Sequence, residues 1–383
     1  MYYCNILKIK QIRILAALIF TLFFQNSIFA QKDTVPPLIS KFYLETRFEF
    51  DYAHQTELNQ HVDTAFDNYG FNGKYLNLIL AGNFDRHFSY FFRQRIISKP
   101  GQYNLFDNTD FLYLKYDINS HFSLTAGKQV LHIGSFEYDM APIDVYYYSQ
   151  FWANCACFQL GLSANYTDKS GKNMFALQMT NSPYLYDGTL SERLFGRGLF
   201  AYSFAWYGNF NHFKTIYSLN MLERERGSFV GYFSMGNKFM FDRCSFYIDY
   251  QARFPSYHAL FQDFSVIARV DVQMGKMFNL FIKGGYEQNN SENIDTKVVR
   301  DIMVQPGHRF SFGGLGIEFR PIQYRALRVH AYFAYQDNHS LPDTRYIAET
   351  WKVNVGLSWK LDFLKVIRNI RAKRVLKQNK ITE

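Results

Sequence analysis

The sequence predicts an all-β protein that forms a single 16-stranded antiparallel transmembrane β-barrel with long extracellular loops and short periplasmic turns. Three observations favour this fold: strands in which apolar and polar residues alternate, connections that alternate in length, and a composition with 19% aromatic but only 20% charged residues. Alternation with a period of two gives each strand one apolar and one polar face. Whether the apolar face points outward or toward the interior of the protein distinguishes a membrane barrel from a soluble domain.

The first thirty residues are typical of a cleavable secretory signal, with a basic start, a short apolar run from Ile14 to Phe24 and a small residue, Ala30, at the end. We expect cleavage before Gln31. The apolar run is too short for a helix that spans a bilayer, which needs about 20 residues. No later segment has eighteen apolar residues in a row, so a helical membrane protein is excluded. The predicted divisions are a signal peptide over 1–30, a barrel over 31–363 and a basic C-terminal tail over 364–383.

The net charge of +9 does not indicate a nucleic-acid partner. Three positive charges belong to the signal peptide, and residues 364–383 hold seven basic residues against one acidic residue. Residues 31–363 therefore carry no net charge, and the body of the protein lacks the basic excess that nucleic-acid binding requires.

Sixteen segments show the alternation of a strand between turn signals. They lie near 41–53, 74–84, 87–97, 109–118, 122–131, 157–167, 172–181, 198–209, 212–222, 228–240, 243–253, 262–274, 277–287, 308–319, 326–337 and 350–361. The run Gly313-Gly-Leu-Gly316 falls inside one of them, where glycine predicts a bend or a bulge.

The connections predict two unlike ends for the barrel. After even-numbered strands the turns are tight, as at Asp85-Arg86, Phe210-Asn211 and Gly275-Lys276, and aromatic residues flank them. After most odd-numbered strands the loops are long, near 54–73, 98–108, 132–156, 182–197, 288–307 and 338–349. Long outer loops, short periplasmic turns and a girdle of rings at the interface are typical of outer-membrane barrels.

The alternation also predicts what each face touches. From Lys41 to Ala53 the even positions are apolar or Thr, while most odd positions are charged or polar. Since lipid leaves no backbone edge unpaired, a closed sheet suits sixteen strands without a helix. We therefore expect the apolar face to contact outer-membrane lipid and the polar face to surround a water-filled lumen wide enough for a channel.

The cysteines and the polar clusters predict no metal and no cofactor. Cys155 and Cys157 are two residues apart on an extended segment, too far for a relaxed disulfide, and no close ligands complete a metal site. We expect these two and Cys244 to be small buried or lipid-facing thiols.

One long loop carries a family resemblance. It reads QVLHIGSFEYDMAPIDVYYYSQFWAN from Gln129 and is longer than a hairpin needs. The sequence here resembles the phosphate-selective porin O and P type family, in particular its Bacteroidetes branch, through Leu124–Gln129, Ile133-Gly134, Glu137–Asp139, Pro142–Val145 and Asn181–Pro183. The resemblance implies an outer-membrane porin, a passive diffusion channel for small hydrophilic solutes or ions. It also implies a homotrimer and a third loop, near 130–154, folded into the lumen as a constriction.

Two sets of pore residues are predicted. The constriction set contains acidic and aromatic residues of the third loop: Glu137, Asp139, Asp144, Tyr146 and Tyr148. The lumen-lining set contains basic residues on the polar face of the strands: Arg47, Arg93, Arg95, Lys128, Arg269, Lys283 and Arg328. The loop has no Lys or Arg between His132 and Asn154, unlike the basic clamp that the family implies. We therefore expect a mixed field rather than phosphate selectivity. Alternatively, the three loop acids cap turns and pair with nearby bases.

Two other functions fit the export signal and the strands. A barrel enzyme of the lipase type would need a nucleophile and a base, and His132, Ser135 and Asp139 supply the residue types. A soluble exported β-sandwich that binds a ligand would turn the apolar faces inward.

The tail has two interpretations. Leu364, Ile367 and Ile370 fit one side of a short helix whose other side carries Lys365 and Arg368, suited to anionic lipid headgroups. A solvated basic tail without fixed structure is the alternative.

Overall fold

The computed structural model describes residues 37–58, 64–96, 106, 108–155, 157–186, 198–254, 261–290, 307–321, 326–339, 346–368 and 370. The predicted signal peptide and residues 371–383 lie outside the described residues. Within the described ranges, no helix combines the length and apolar character needed to cross a membrane.

The described chain contains sixteen strands, one for each predicted segment. They are β1 (Lys41–Leu58), β2 (Thr64–Asn83), β3 (Phe88–Arg95), β4 (Thr109–Asp117), β5 (Phe122–Val130), β6 (Phe158–Thr167), β7 (Asn173–Asn181), β8 (Phe200–Phe210), β9 (Phe213–Glu225), β10 (Ser228–Met240), β11 (Cys244–Phe254), β12 (Asp263–Met274), β13 (Phe278–Asn289), β14 (Arg309–Phe319), β15 (Leu327–His339) and β16 (Tyr346–Asp362).

The strands form one closed antiparallel barrel in which each strand pairs with its neighbours in sequence. Closure comes from β1 and β16, whose register runs from Tyr43 opposite Asp362 to Leu58 opposite Tyr346. The predicted fold class is confirmed. The soluble β-sandwich is wrong, because a single sheet closes on itself instead of two sheets packing face to face.

The outer face of the barrel is apolar and the inner face is polar, as the alternation predicts. On β1, the Phe48 side chain is 55% exposed on the outside, whereas its neighbours Arg47 and Glu49 are buried on the inside. Arg269 on β12 lies opposite Lys283 on β13, and both side chains are buried within the barrel. An outer belt of Phe, Leu, Val and Ile side chains suits a lipid environment.

The β1–β2 connection differs from its prediction. A loop near 54–73 was expected, but β1 continues to Leu58 and β2 begins at Thr64, so the strand pair extends well past the end of β3. The sequence there is polar and lacks regular alternation. The pairing is instead supported by β16, which continues along β1 to Tyr346.

Aromatic rings line the short-turn end of the barrel, as predicted for a girdle at a membrane interface. Neighbouring strands contribute rings that contact each other around this rim. The pairs and their centroid distances are Phe42–Phe363 at 4.6 Å, Phe88–Tyr116 at 4.5 Å, Phe122–Tyr166 at 4.8 Å, Phe213–Phe239 at 5.1 Å and Phe278–Phe319 at 5.0 Å.

Candidate functional site

The third loop, residues 131–157, connects β5 to β6 and contains three helical turns. These are Phe136–Asp139, Pro142–Asp144 and Gln150–Asn154. Ser135 and Ser149 begin two of them, since each hydroxyl accepts a hydrogen bond of 3.0 Å from a backbone N–H three residues later.

Carboxylates that project inward from distant strands hold the third loop. Asp249 on β11 accepts hydrogen bonds from the backbone N–H groups of Phe136 and Glu137 at 3.0 and 2.9 Å. Glu287 on β13 accepts two more from the start of the turn Gln150–Asn154, at 2.7 and 3.1 Å. Buried polar groups require partners, and here the loop and the wall provide them for each other. The loop therefore lies inside the barrel, against the strands opposite its own.

The contacts continue around the wall to β1. Arg47 donates to the carbonyl oxygens of Ile143 and Val145 at 2.8 and 3.0 Å. The Tyr146 hydroxyl donates to Glu318 on β14 at 2.6 Å. These bonds join residues that are 96 to 172 positions apart in sequence.

Two glycines on the inner wall make room for loop side chains. A Cβ on Gly314 would lie 2.9 Å from the Tyr147 ring, and a Cβ on Gly236 would lie 3.1 Å from the Phe136 ring. The alternative of a bulge at Gly313–Gly316 is wrong, because β14 pairs with both neighbours without a shift in register. The glycines there allow close packing instead.

Glu137 differs from its predicted place at the constriction. Its side chain is 0% exposed and forms an ion pair with Lys283, while Ser149 donates to it through Oγ at 2.5 Å and through its backbone N–H at 3.1 Å. Lys283 also donates to the Tyr147 carbonyl at 2.6 Å. Because both charged groups are enclosed by the loop and the wall, they hold the loop against the wall and are not exposed to water in the lumen.

Of the other four predicted constriction residues, three are accessible and one is buried. Asp139 and Asp144 border open space, and Asp144 pairs with Arg328 at 2.6 Å. Tyr148 is exposed and contacts Trp152 with a centroid distance of 4.9 Å. Tyr146, in contrast, is buried and stacks on His330 at 4.2 Å.

A cavity of about 840 Å³ opens on the short-turn side of the third loop. The loop forms its inner end through residues that include Phe136, Asp139 and Asp144. Seven basic and five acidic residues line it, which leaves an excess of two positive charges. The basic residues are Lys172, Lys214, Lys238, Arg243, Arg269, Arg320 and Arg328, and the acidic residues are Asp139, Asp144, Asp242, Asp271 and Glu318.

The seven predicted lumen-lining basic residues lie in three kinds of surroundings. Arg269 and Arg328 line the cavity. Arg93 and Arg95 both donate to Asp110 on β4, at 2.9 and 3.0 Å. The remaining three, Arg47, Lys128 and Lys283, are buried against the third loop or other backbone carbonyl groups.

Lys214 and Lys238 were missed by the sequence analysis, although parity could have found them. Lys214 shares the inward parity of Ser218 and Lys238 that of Ser234. The two lysines lie directly opposite each other on β9 and β10. Neither forms an ion pair within 4.0 Å with a described acidic residue, and like charges in this position repel.

The residues suggested for catalysis have separate partners. Ser135 is buried and caps a helical turn, whereas the His132 ring bonds to the Tyr207 hydroxyl at 3.0 Å. Burial lowers the pKa of His132 to about 4, so its ring is neutral at pH 7. The described residues also contain no cluster of three metal ligands, and Cys155, Cys157 and Cys244 form no disulfide bond.

Comparison with known proteins gives both a family and a fold. The sequence model of the family described as phosphate-selective porin O and P matches residues 42–239. The outer membrane channel DcaP of Acinetobacter baumannii is similar in fold, with a TM-score of 0.59 and 9% identity over 84% of this chain and 96% of that chain. OmpT of Vibrio cholerae gives a TM-score of 0.54 and 9% identity over 84% and 97%.

The anion-selective porin from Comamonas acidovorans gives a TM-score of 0.54 and 11% identity over 83% of this chain and 100% of that chain. At these identities the similarity extends to the fold alone. No curated protein matches the chain.

Proposed function

Because the chain belongs to the phosphate-selective porin O and P family, we propose that its third loop forms the constriction of an outer-membrane diffusion channel for small hydrophilic solutes and ions. The observation that carries this proposal is the pair of inward carboxylates, Asp249 and Glu287, that bond the loop backbone to the far wall. A barrel of sixteen strands is wide enough for an aqueous channel, so a segment fixed across it limits the passage.

Solutes in this channel meet a mixed field with a modest preference for anions. Of the acidic residues in the cavity, Asp144, Asp271 and Glu318 form ion pairs with Arg328, Arg269 and Arg320. Lys214 and Lys238 also line the cavity, and neither forms an ion pair with a described acidic residue. The solutes that suit such a channel are small anions and neutral polar molecules, because charged linings set ionic preference.

The constriction is tested by neutralising the two loop acids that border the cavity. Asp139→Asn combined with Asp144→Asn should move the reversal potential in a salt gradient toward the value for anions. The matched control is Asp67→Asn combined with Asp85→Asn, which removes two exposed acids outside the cavity lining. Equal currents and reversal potentials in both variants and the unmodified protein would contradict the placement of the loop in the permeation path.

The proposal includes a homotrimer, which the family resemblance supports. The predicted result is a particle of three protein chains in a mild detergent, measured by light scattering with correction for bound detergent. A particle of one chain at all concentrations would contradict it.

We also propose that the chain has no enzymatic activity. The separate partners of His132 and Ser135 support this, because a nucleophile and its base must lie within hydrogen-bond reach. Phospholipid hydrolysis by the purified protein, abolished by Ser135→Ala, would contradict it.

A further inference from the structure

We propose that the helix after β16 lies on the periplasmic phospholipid surface of the outer membrane and anchors the rim of the barrel there. Residues 363–368 and 370 are helical. This inference goes beyond the channel function, and it concerns a part of the molecule outside the lumen.

The start of the helix is fixed at the membrane side of the rim. Asp362, the last residue of β16, accepts a hydrogen bond from the backbone N–H of Lys365 at 3.0 Å, as an N-cap residue does. The Phe363 ring contacts the Phe42 ring with a centroid distance of 4.6 Å. Both rings belong to the aromatic girdle, which marks the interface between lipid and water.

The lipid-facing row of β16 continues directly into the helix. Val355, Leu357 and Trp359 point outward from β16, and Phe363 follows with the same parity. Spacings of three and four residues place Val366, Ile367 and Ile370 on the same side of the helix as Phe363. This stripe is therefore an extension of the apolar belt of the barrel.

The stripe is exposed in the described part of the protein. Val366, Ile367 and Ile370 are 39%, 43% and 48% exposed. An exposed apolar stripe that adjoins a lipid-facing surface is the pattern of a helix in the plane of an interface.

The charge of the tail complements a phospholipid surface. Lys365 and Arg368 are exposed on the helix, away from the stripe. In sequence, residues 371–383 add five basic residues and one acid. Short turns of an outer-membrane barrel face the periplasm, so Lys365 and Arg368 lie on the side of the phospholipid leaflet. Anionic headgroups attract such segments.

The test measures the depth of single spin labels in the full-length protein. The protein, with Cys155, Cys157 and Cys244 replaced by Ala, is reconstituted into bilayers of phosphatidylethanolamine and phosphatidylglycerol. Labels at Ile367→Cys and Arg368→Cys compare adjacent positions, one on the apolar stripe and the other on the charged face of the helix. A label at Ser170→Cys, in the exposed turn between β6 and β7, is the control for water. Heat-modifiable gel mobility verifies that each barrel is folded.

The expected result is that the Ile367 label is accessible to oxygen and protected from a water-soluble nickel reagent, whereas the Arg368 label resembles the Ser170 label. Nickel accessibility at Ile367 equal to that at Ser170 would overturn the proposal in favour of a solvated tail. Protection from both reagents would also overturn it, because the stripe would then contact a protein or a second copy. None of these readouts depends on conductance, so they can fail without affecting the channel proposal.

Discussion

At the scale of single residues, some charged side chains inside the barrel are buried between the third loop and the wall, whereas others border the cavity. Glu137 and Lys283 are buried between the third loop and the wall. Lys214 and Lys238 border the cavity and form no ion pair with a described acidic residue. Burial of a charge is costly unless it is paired and hydrogen-bonded. The first pair therefore stabilises the loop, whereas the second pair provides charge to the channel.

Lys283→Met should destabilise the folded barrel strongly, because it leaves the buried Glu137 carboxylate without its cation. Removal of one partner from a buried pair typically costs about 3–5 kcal/mol. The measurement is the temperature at which heat-modifiable mobility is lost. The control is Lys115→Met, since Lys115 and its partner Asp117 are both more than one third exposed. An exposed pair contributes at most about 1 kcal/mol, so equal shifts in the two variants would contradict this role of Lys283.

Gly314→Ala should displace the third loop, because the new methyl group would lie 2.9 Å from the Tyr147 ring and 2.5 Å from the Phe333 carbonyl oxygen. Single-channel conductance should change and the barrel should lose stability by about 1–3 kcal/mol, as in other overpacked sites. Gly313→Ala is the matched control, since a Cβ there meets no atom within 4 Å. If the two variants have the same conductance, Gly314 does not make room for the loop.

At the scale of elements, the strands were predictable because each one carries its own signal. Alternation, turn residues and strand length are local properties, and each of the sixteen strands of the described chain overlaps a predicted segment, although β1 and β2 extend beyond theirs. The third loop has no such local signal. Its path depends on Asp249, Glu287 and Arg47, which lie far from it in sequence. Parity identified charged residues on the inner face, but it could not show which of them the loop would cover.

The β6–β7 turn should remain ordered as the pH falls, until the Asp168 carboxylate becomes protonated. Asp168 accepts hydrogen bonds from Asn173 and Ser170, and the bond from the Asn173 side chain contributes most to lowering its pKa to about 2. Because this pKa lies below the ordinary value of 3.8, the carboxylate stabilises the turn above that pH and loses this effect as the pH falls toward 2. Carboxyl carbon shifts in NMR report the titration. Asn173→Ala should raise the pKa, and an unchanged pKa in that variant would contradict the assignment.

At the scale of the whole molecule, the distribution of charge sets the preference of the channel. Lys214→Gln combined with Lys238→Gln removes the excess of two positive charges from the cavity. The ratio of anion to cation permeability should fall toward one, as measured by reversal potentials near 0.1 M salt, where screening extends over about 10 Å. Lys169→Gln combined with Lys276→Gln changes the net charge equally, at exposed turns outside the cavity lining. The same shift in this control would contradict a local effect of the cavity.

We expect closure of the barrel to require the end of β16 but not the residues after Phe363. The β1–β16 ladder ends with Tyr43 opposite Asp362, and the Phe363 ring adds the contact with Phe42. A chain that stops after Phe363 should therefore insert into the outer membrane and show heat-modifiable mobility. A chain that stops after Ser358 loses the pairs of Tyr43, Leu44, Glu45 and Thr46 with β16. It leaves a strand edge open to lipid, where unpaired backbone groups are costly, so it should fail to assemble. If the longer chain also fails, the tail takes part in assembly and Phe363 is not the functional end of the barrel.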